Sequence, residues 1–299
     1  MKKKYLYLLL GIGLSVSCSK EKLDSNSIFV DSSIALNELD KYVEREYTKP
    51  YNIAVIYKYV DKESDMNYNL SPANYESSIR MTRLIQYLAI EAYDKVTGSK
   101  DFIHAYFPKI LNYIGSPAYN NNGTIVLGTA EGGRKISIYN LNQLTAANST
   151  NAALLRERYF HTIHHEFAHI LNQNKPFSIN FNQISSKDYV NDAWNTLFDT
   201  NAKAAQKGFI SPYAGKEANE DFVELIAFYV TLTPAQWNAR INAGGTGAAG
   251  VAGRNIILNK FGIVKEYMLN SWGIDLDILR DEVLERTAAL KDFDQLNIK

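Results

Sequence analysis

Apolar residues recur every three or four positions in several segments of the chain, and polar or glycine-rich stretches separate these segments. Residues at that spacing share one face of a helix, so the pattern predicts amphipathic helices. The predicted helices cover residues 32–47, 72–96, 101–113, 152–172, 187–207, 217–232, 250–271 and 275–291. Pro50 is expected to stop the first helix, and Ser71 and Pro72 are expected to open the second.

Strand-forming residues concentrate in the first half of the chain. β-Branched and aromatic residues dominate at 51–60, 124–129 and 135–141. The last two segments flank Gly132 and Gly133, which tolerate the positive φ angles of a tight turn, so they predict a β-hairpin. Early strands and late helices predict an α+β fold, with a small mixed sheet in the N-terminal half and a mainly helical C-terminal half.

Residues 1–17 have the pattern of a secretory signal. Lys2, Lys3 and Lys4 precede an apolar run that is shorter than the roughly 20 residues of a membrane-spanning helix. Cys18 follows directly, and the pattern resembles a bacterial lipoprotein signal, whose removal leaves an acylated cysteine. We therefore expect an outer-membrane lipoprotein anchored through Cys18. An ordinary signal peptide that ends near a cysteine is the alternative.

Composition and length fit one large globular domain after this signal. The 299 residues include 32 basic and 32 acidic side chains, so the net charge is zero and gives no reason to expect nucleic-acid binding. One cysteine excludes a disulfide scaffold. We interpret 18–30 as a polar tether and 31–299 as the domain, with an α/β part at about 31–150 and a helical part at about 151–299.

The motif H-E-x-x-H occurs at His165, Glu166 and His169. On a helix, side chains four positions apart share one face at a separation of about 6 Å. Two neutral imidazoles at that separation can both reach one Zn²⁺ at about 2.0–2.1 Å. Glu166 lies beside such a metal without binding it, where its carboxylate can take a proton from a water that zinc acidifies. The motif therefore predicts a zinc centre, with a helix that merely carries histidines as the alternative.

Two histidines do not complete a zinc site, so the chain must supply a third ligand. The extended motif H-E-x-x-H-x-x-G-x-x-H fails, because an asparagine and a lysine replace its glycine and last histidine. A later helix offers Glu220, and Glu224 one turn further on is placed to accept the outward N–H of a ligand histidine. Acidic residues also favour a helix N-terminus by charge alone, and Glu217, Asp221 or Glu224 could bind the metal instead.

Hydrolysis at zinc also needs a hydrogen-bond donor for the oxyanion that develops in the transition state. Tyr213 precedes Glu220 in a loop that leads into the ligand helix, and we predict it as this donor. A purely structural tyrosine fits the sequence equally well. His164 points away from His165 and is expected to be a hydrogen-bonded packing residue. His161 lies one turn before His165 and could line the edge of the site, but we expect a structural role for it as well.

The H-E-x-x-H motif, the acidic segment 220–224 and the N-terminal signal together resemble one family. This is the substrate import-associated zinc metallohydrolase lipoproteins of Bacteroidetes, which are zinc-binding metallopeptidase lipoproteins. The resemblance implies a zincin-like fold of the gluzincin type and a genetic setting beside outer-membrane nutrient importers, whose components are expected partners. The residues directly after Cys18 also resemble the signal that sends such lipoproteins to the outer face of the membrane.

The resemblance also implies roles for individual residues. His165, His169 and Glu220 would bind zinc, and Glu166 would be the general base. The order of Tyr213 and Glu220 is similar to that in the lethal-factor type of gluzincin, where the tyrosine is the oxyanion donor.

These residues predict a zinc-dependent metallohydrolase, most simply a peptidase acting on peptide or protein substrates. The alternative is a surface lipoprotein that binds peptide or glycan for a nutrient importer, with a structural or vestigial zinc site. An intact Glu166 favours the enzyme, because a purely structural zinc does not need that carboxylate.

Overall fold

The computed structural model describes residues 35–65, 67–119, 125–126, 128–131 and 134–299. The predicted signal peptide, Cys18 and the tether lie outside the described residues. The α-helices are α1 (Glu38–Val43), α2 (Lys49–Tyr51), α3 (Tyr75–Ile85), α4 (Glu91–Thr97), α5 (Asp101–Tyr106), α6 (Ala152–Leu155), α7 (His161–Asn174), α8 (Ile179–Ile184), α9 (Trp194–Leu197), α10 (Asn201–Gln206), α11 (Ala218–Thr231), α12 (Pro234–Ile241), α13 (Ala248–Trp272) and α14 (Leu276–Ala288). The strands are β1 (Ala54–Ile56), β2 (Ile110–Tyr113), β3 (Ala118–Tyr119), β4 (Ile125–Val126), β5 (Gly128–Glu131) and β6 (Lys135–Ile138).

Widened π turns join several of these helices into longer runs. Glu44–Thr48 joins α1 to α2, Gln86–Ile90 joins α3 to α4, and Arg156–Phe160 joins α6 to α7. After the last of these turns, the His161 N–H reaches back five residues to the Arg156 carbonyl instead of the usual four. The helix that carries the H-E-x-x-H motif is therefore one run from Ala152 to Asn174 with an extra residue in one turn.

The first two helical runs differ from their predicted bounds. Pro50 does not stop the first run: it lies in the opening turn of α2, directly after the π turn, and the run continues to Tyr51. The missing N–H of Pro50 falls where the hydrogen-bond spacing changes, directly after the Lys49 N–H has bonded the Glu44 carbonyl five residues back. The second run begins after Asn74 rather than at Ser71 or Pro72, and it ends as predicted before Gly98, whose φ is +70°.

The sheet is mixed, as predicted, with strand order β1-β2-β6-β5. β1, β2 and β6 run parallel, and β5 lies antiparallel to β6 at one edge, so the strand pairing of the predicted hairpin is confirmed. Gly132 and Gly133, which were predicted to form its turn, lie outside the described residues. The predicted helix at 101–113 is wrong beyond Tyr106, because Ile110–Tyr113 forms β2 in the interior of the sheet. The predicted strand at 51–60 is reduced to the three residues of β1.

The second half of the chain is mainly helical, as predicted, and the mixed α+β class is confirmed. The predicted helix at 187–207 is interrupted, and only α9 and α10 form within it. α10 and α13 approach closely: a Cβ at Gly253 would lie 1.9 Å from the Ala205 carbonyl oxygen. Among the described helices, none combines the length and the apolar character that a bilayer crossing requires.

The packing of α7 against α11 positions the site. Phe167 and Leu171 of α7 are buried, as are Phe222 and Ile226 of α11, and all belong to the main hydrophobic core of the compact unit Asn37–Lys299. Burial of such side chains stabilises by about 1.5–3 kcal/mol each, so the two helices form a rigid base for the polar residues between them.

Candidate metal centre

Three side chains from α7 and α11 converge on one point. The Nε2 atoms of His165 and His169 lie 3.1 Å apart, and Glu220 Oε2 lies 3.2 Å from the first and 3.1 Å from the second. Glu220 and His165 are buried, and His169 is partly exposed. The structure therefore brings together the three residues that the sequence predicts as metal ligands.

The separations of these atoms fit a bound zinc ion. Ligand atoms held tetrahedrally at about 2.0–2.1 Å from Zn²⁺ lie about 3.3 Å from one another. Two imidazole nitrogens and one carboxylate oxygen are also a donor set that zinc accepts, with a fourth position left for water or substrate. His165, His169 and Glu220 thus match zinc in both chemistry and spacing.

Glu224 lies behind the ligands and orients one of them. Its Oε1 accepts hydrogen bonds from His165 Nδ1 at 2.8 Å and from His161 Nε2 at 2.7 Å. Its Oε2 accepts a hydrogen bond of 2.5 Å from the Ser211 hydroxyl. These distances are those of charge-assisted hydrogen bonds and are shorter than the separation of two ligands on one zinc ion, so we interpret this cluster as a support for the metal ligands.

The buried carboxylates create a site for positive charge. Burial alone would lower the pKa of His165, but hydrogen bonds to Glu220 and Glu224 raise it to about 10. Burial would conversely raise the pKa of Glu220, and His165 and His169 instead hold it well below its usual range. Because the carboxylates favour a cation so strongly, a zinc ion can replace the imidazolium proton that they would otherwise stabilise.

Glu166 is half-buried beside the three ligand residues and makes no side-chain hydrogen bond to another described residue. Burial raises the pKa of its carboxyl group, an effect that the nearby His165 and His169 oppose. The carboxylate is therefore available to a water or a substrate.

Tyr213 lies at the same centre. Its hydroxyl donates a hydrogen bond of 2.8 Å to Glu220 Oε1, and its ring centroid lies 5.9 Å from that of His165. Lys216 Nζ lies 3.2 Å from the same Oε1 atom, and Trp194 packs edge-on against the Tyr213 ring. Burial, followed by the charge of Glu220, raises the pKa of Tyr213 well above its usual value, so the hydroxyl keeps its proton.

Glu217 and Asp221, two further acidic residues that the sequence allowed as metal ligands, lie apart from the three ligand residues. Glu217 is exposed before the start of α11. Asp221 points towards α13, where Lys260 Nζ lies 2.5 Å from its Oδ2, and the Tyr189 hydroxyl donates to the same oxygen at 2.9 Å. Lys260 and Asp221 are both fully buried, so their ion pair links α11 to α13 inside the core.

Of the two histidines that we expected to be structural, only His164 lies away from the site. It is buried, its Nδ1 lies 3.3 Å from the Tyr93 hydroxyl, and burial lowers its pKa to about 3. His161 instead contacts Glu224, and its ring packs against Phe228. The spacing of His161 one turn before His165 was the only sequence signal for this contact, and nothing in the sequence indicated Ser211.

We expect Glu224→Gln to weaken zinc binding about 10–100-fold, because an amide cannot accept from His165 and His161 with a full negative charge. Competition with a chromophoric chelator measures the zinc affinity. Glu217→Gln is the matched control, since Glu217 is exposed near the same helix end. Equal affinities for the two variants would contradict the role assigned to Glu224.

The fold and this centre define a metallopeptidase-like protein of the mixed α+β class, with two histidines and a glutamate on adjacent helices. The chain belongs to a family described as putative zinc-binding metallo-peptidases, whose model matches residues 32–277. It is also similar to a solved structure, that of a putative zinc-binding metallo-peptidase from Bacteroides caccae. The two are 37% identical with a TM-score of 0.75, over 91% of this chain and 100% of that one. A comparison with curated proteins finds no match.

Proposed function

We propose that this protein is a zinc-dependent peptidase of the gluzincin type, with a zincin-like catalytic domain. The observation that carries the proposal is the triangle of His165 Nε2, His169 Nε2 and Glu220 Oε2, with sides of 3.1–3.2 Å. Glu166 follows the first ligand directly in the sequence and lies at the same centre, which a structural zinc does not require.

In the proposed mechanism, His165, His169 and Glu220 hold Zn²⁺, which when bound supplies a Lewis acid that polarises the substrate carbonyl and acidifies water. Glu166 takes the proton from the attacking water and passes it to the leaving amine nitrogen. Tyr213 donates its hydroxyl proton in a hydrogen bond to the developing oxyanion. Glu224 keeps the Nδ1–H of His165 hydrogen-bonded, so that Nε2 faces the metal.

A peptide substrate would bind along the edge of the sheet. β5 is an outer strand, because it pairs only with β6 in the strand order, and it lies against α7. The main chain of an extended peptide can pair with such an edge, which would bring a scissile bond beside the H-E-x-x-H helix.

Metal analysis combined with a peptide-library digest tests the peptidase proposal. We expect about one zinc per chain and cleavage that stops on chelation and returns with added Zn²⁺, because the metal held by His165, His169 and Glu220 would supply the Lewis acid that hydrolysis needs. Zinc without cleavage of any peptide would contradict the peptidase proposal, and absence of zinc after loading would contradict the metal centre.

We also propose that the protein is an outer-membrane lipoprotein, anchored through an acylated Cys18 and working beside importer components. The N-terminal pattern around Cys18 and the family resemblance support this location. Cys18→Ala should abolish incorporation of a labelled fatty acid and release the protein from the membrane fraction, as judged by fractionation of cells. A variant that stays membrane-bound and labelled would contradict the anchor at Cys18.

A further inference from the structure

A cavity of about 230 Å³ lies away from the metal centre. Its floor consists of buried apolar side chains, of which Leu155, Phe160, Val283 and Leu290 are each no more than 4% exposed. None of the proposed metal ligands, nor Glu166 or Tyr213, lines this cavity. It is therefore separate from the proposed catalytic site.

The polar side chains that remain open to a ligand lie at the rim of the cavity. The two threonines of the wall, Thr231 and Thr287, donate their hydroxyls to backbone carbonyls within their own helices. The first turn of α12 and the turn before it supply Gln236 and Thr233, both exposed, and the π turn before α7 supplies Arg156. Arg156 donates a long hydrogen bond of 3.4 Å to Gln236 Oε1, and it lies within ion-pair distance of no carboxylate of a described residue. The charge at the rim is thus not neutralised within the described chain.

A second arginine adds to this positive charge. Arg240 lies one helical turn after Gln236 on α12, and its guanidinium packs over the Phe228 ring and donates to an asparagine oxygen. Burial lowers the pKa of Arg240, the nearby Glu224 carboxylate opposes this, and the charge of Arg156 lowers it further, so the two guanidinium groups lie close enough to interact. Because Arg240 does not line the cavity and Glu224 offsets part of its charge, Arg156 is the cation on the cavity wall that favours an anionic ligand.

The dimensions indicate a single short alkyl chain. An apolar cavity forfeits packing contacts unless an apolar group fills it, and engineered apolar cavities of about 150 Å³ bind benzene. By the same scaling, 230 Å³ corresponds to about eight to ten carbon atoms. Ligand pockets in general combine an apolar wall with a few polar groups that fix orientation, as here.

We propose that this cavity binds a free medium-chain fatty acid, with the alkyl chain on the apolar floor and the carboxylate at Arg156. This binding activity is independent of the proposed peptidase. The carboxylate would form a charge-assisted hydrogen bond with a guanidinium group that has no other anionic partner. The alkyl chain would replace water against Leu155, Phe160 and Leu290.

Calorimetric titration of the zinc-loaded protein with octanoate and with octan-1-ol tests the proposal. We expect octanoate to bind more tightly than octanol, and Arg156→Gln to weaken octanoate binding about tenfold while leaving octanol unchanged. Leu284→Trp, which fills the cavity from α14, should abolish binding of both ligands. Ala153→Trp at the exposed rim provides the same test if the first variant does not fold.

Two control variants separate the cavity from other sites. Ile278→Trp lies on the same helix as Leu284 at a position that is 58% exposed, and Arg158→Gln lies in the same π turn as Arg156 without lining the cavity. Both should bind octanoate as the wild type does. Octanoate binding that persists in both cavity-filling variants, or that disappears on zinc chelation, would overturn the proposal. Octanoate affinity unchanged in Arg156→Gln would overturn the carboxylate contact.

Discussion

Glu166→Gln is expected to lower kcat for peptide hydrolysis about 10²–10⁴-fold while the zinc content stays unchanged. A positioned general base contributes about 10²–10⁴-fold to such reactions, and glutamine cannot take the proton from water. Zinc should stay bound, because the converging ligand atoms belong to His165, His169 and Glu220. Steady-state kinetics on a peptide found in the library digest, with metal analysis of the same sample, measures both quantities.

Glu157→Gln is the matched control for this change, because Glu157 is an exposed glutamate in the same helical run. It should retain wild-type kcat and zinc content. Full activity in Glu166→Gln would remove Glu166 from the mechanism, and loss of zinc in that variant would mean that the carboxylate binds the metal directly.

Lys260→Met is expected to reduce the free energy of unfolding by about 3–5 kcal/mol. The substitution leaves the Asp221 carboxylate buried without its cation, and an unpaired buried charge is strongly destabilising. Since Asp221 is adjacent to Glu220, the change should also loosen the helix that supplies a metal ligand. Denaturant unfolding of the wild-type and variant proteins measures the difference.

A second ion pair, whose lysine lies with Lys260 on α13, provides a control with a matched distance. Lys265 Nζ lies 2.5 Å from Asp277 Oδ2, the same distance as in the buried pair, but both partners are substantially exposed. Lys265→Met should therefore cost no more than about 1 kcal/mol. Lys260→Met combined with Asp221→Leu should recover most of the stability, because no buried charge then remains. Equal effects of the two single lysine substitutions would contradict this account.

Sustained helical spacing makes the long helices of the second half predictable. The predicted segments 217–232 and 250–271 differ from α11 and α13 by no more than two residues at either end. Their apolar faces are long enough for the 3.6-residue period to be recognised against the polar background. The capping box of Thr233 and Gln236 is also visible in the sequence and could have identified α12, which we did not predict.

Short buried strands are not predictable in the same way. β2 has four residues, and its last three are buried although they point alternately to opposite faces of the sheet, so its sequence Ile-Leu-Asn-Tyr lacks the alternation of a half-buried strand. Because β2 follows α5 closely in the sequence, its residues are predicted as a continuation of that helix. Pro108, which disfavours helical backbone at the residue before it, was the signal that the helix ends there.

The residues of the site also differ in how far the sequence predicts them. Some follow from local spacing, and others depend on contacts between segments that are far apart in the sequence. The spacing of His165 and His169 is local, so the sequence predicts that both face one point. Glu220 is predictable only as one of several acids, because the packing of α7 on α11 decides which of them faces the histidines. The contacts of Ser211 and His161 with Glu224 depend entirely on that packing, and no local pattern encodes them.

The π turn before His161 separates two parts of one helical run that carry different chemistry. Deletion of one residue within Arg156–Phe160 would convert the turn to ordinary α-helix and rotate everything before it by about 100°. The histidines after the turn would keep their phase, whereas Ala152 and Leu155 would leave the wall of the cavity. Deletion of one residue at this point would therefore change the wall of the cavity and leave the residues of the H-E-x-x-H motif aligned.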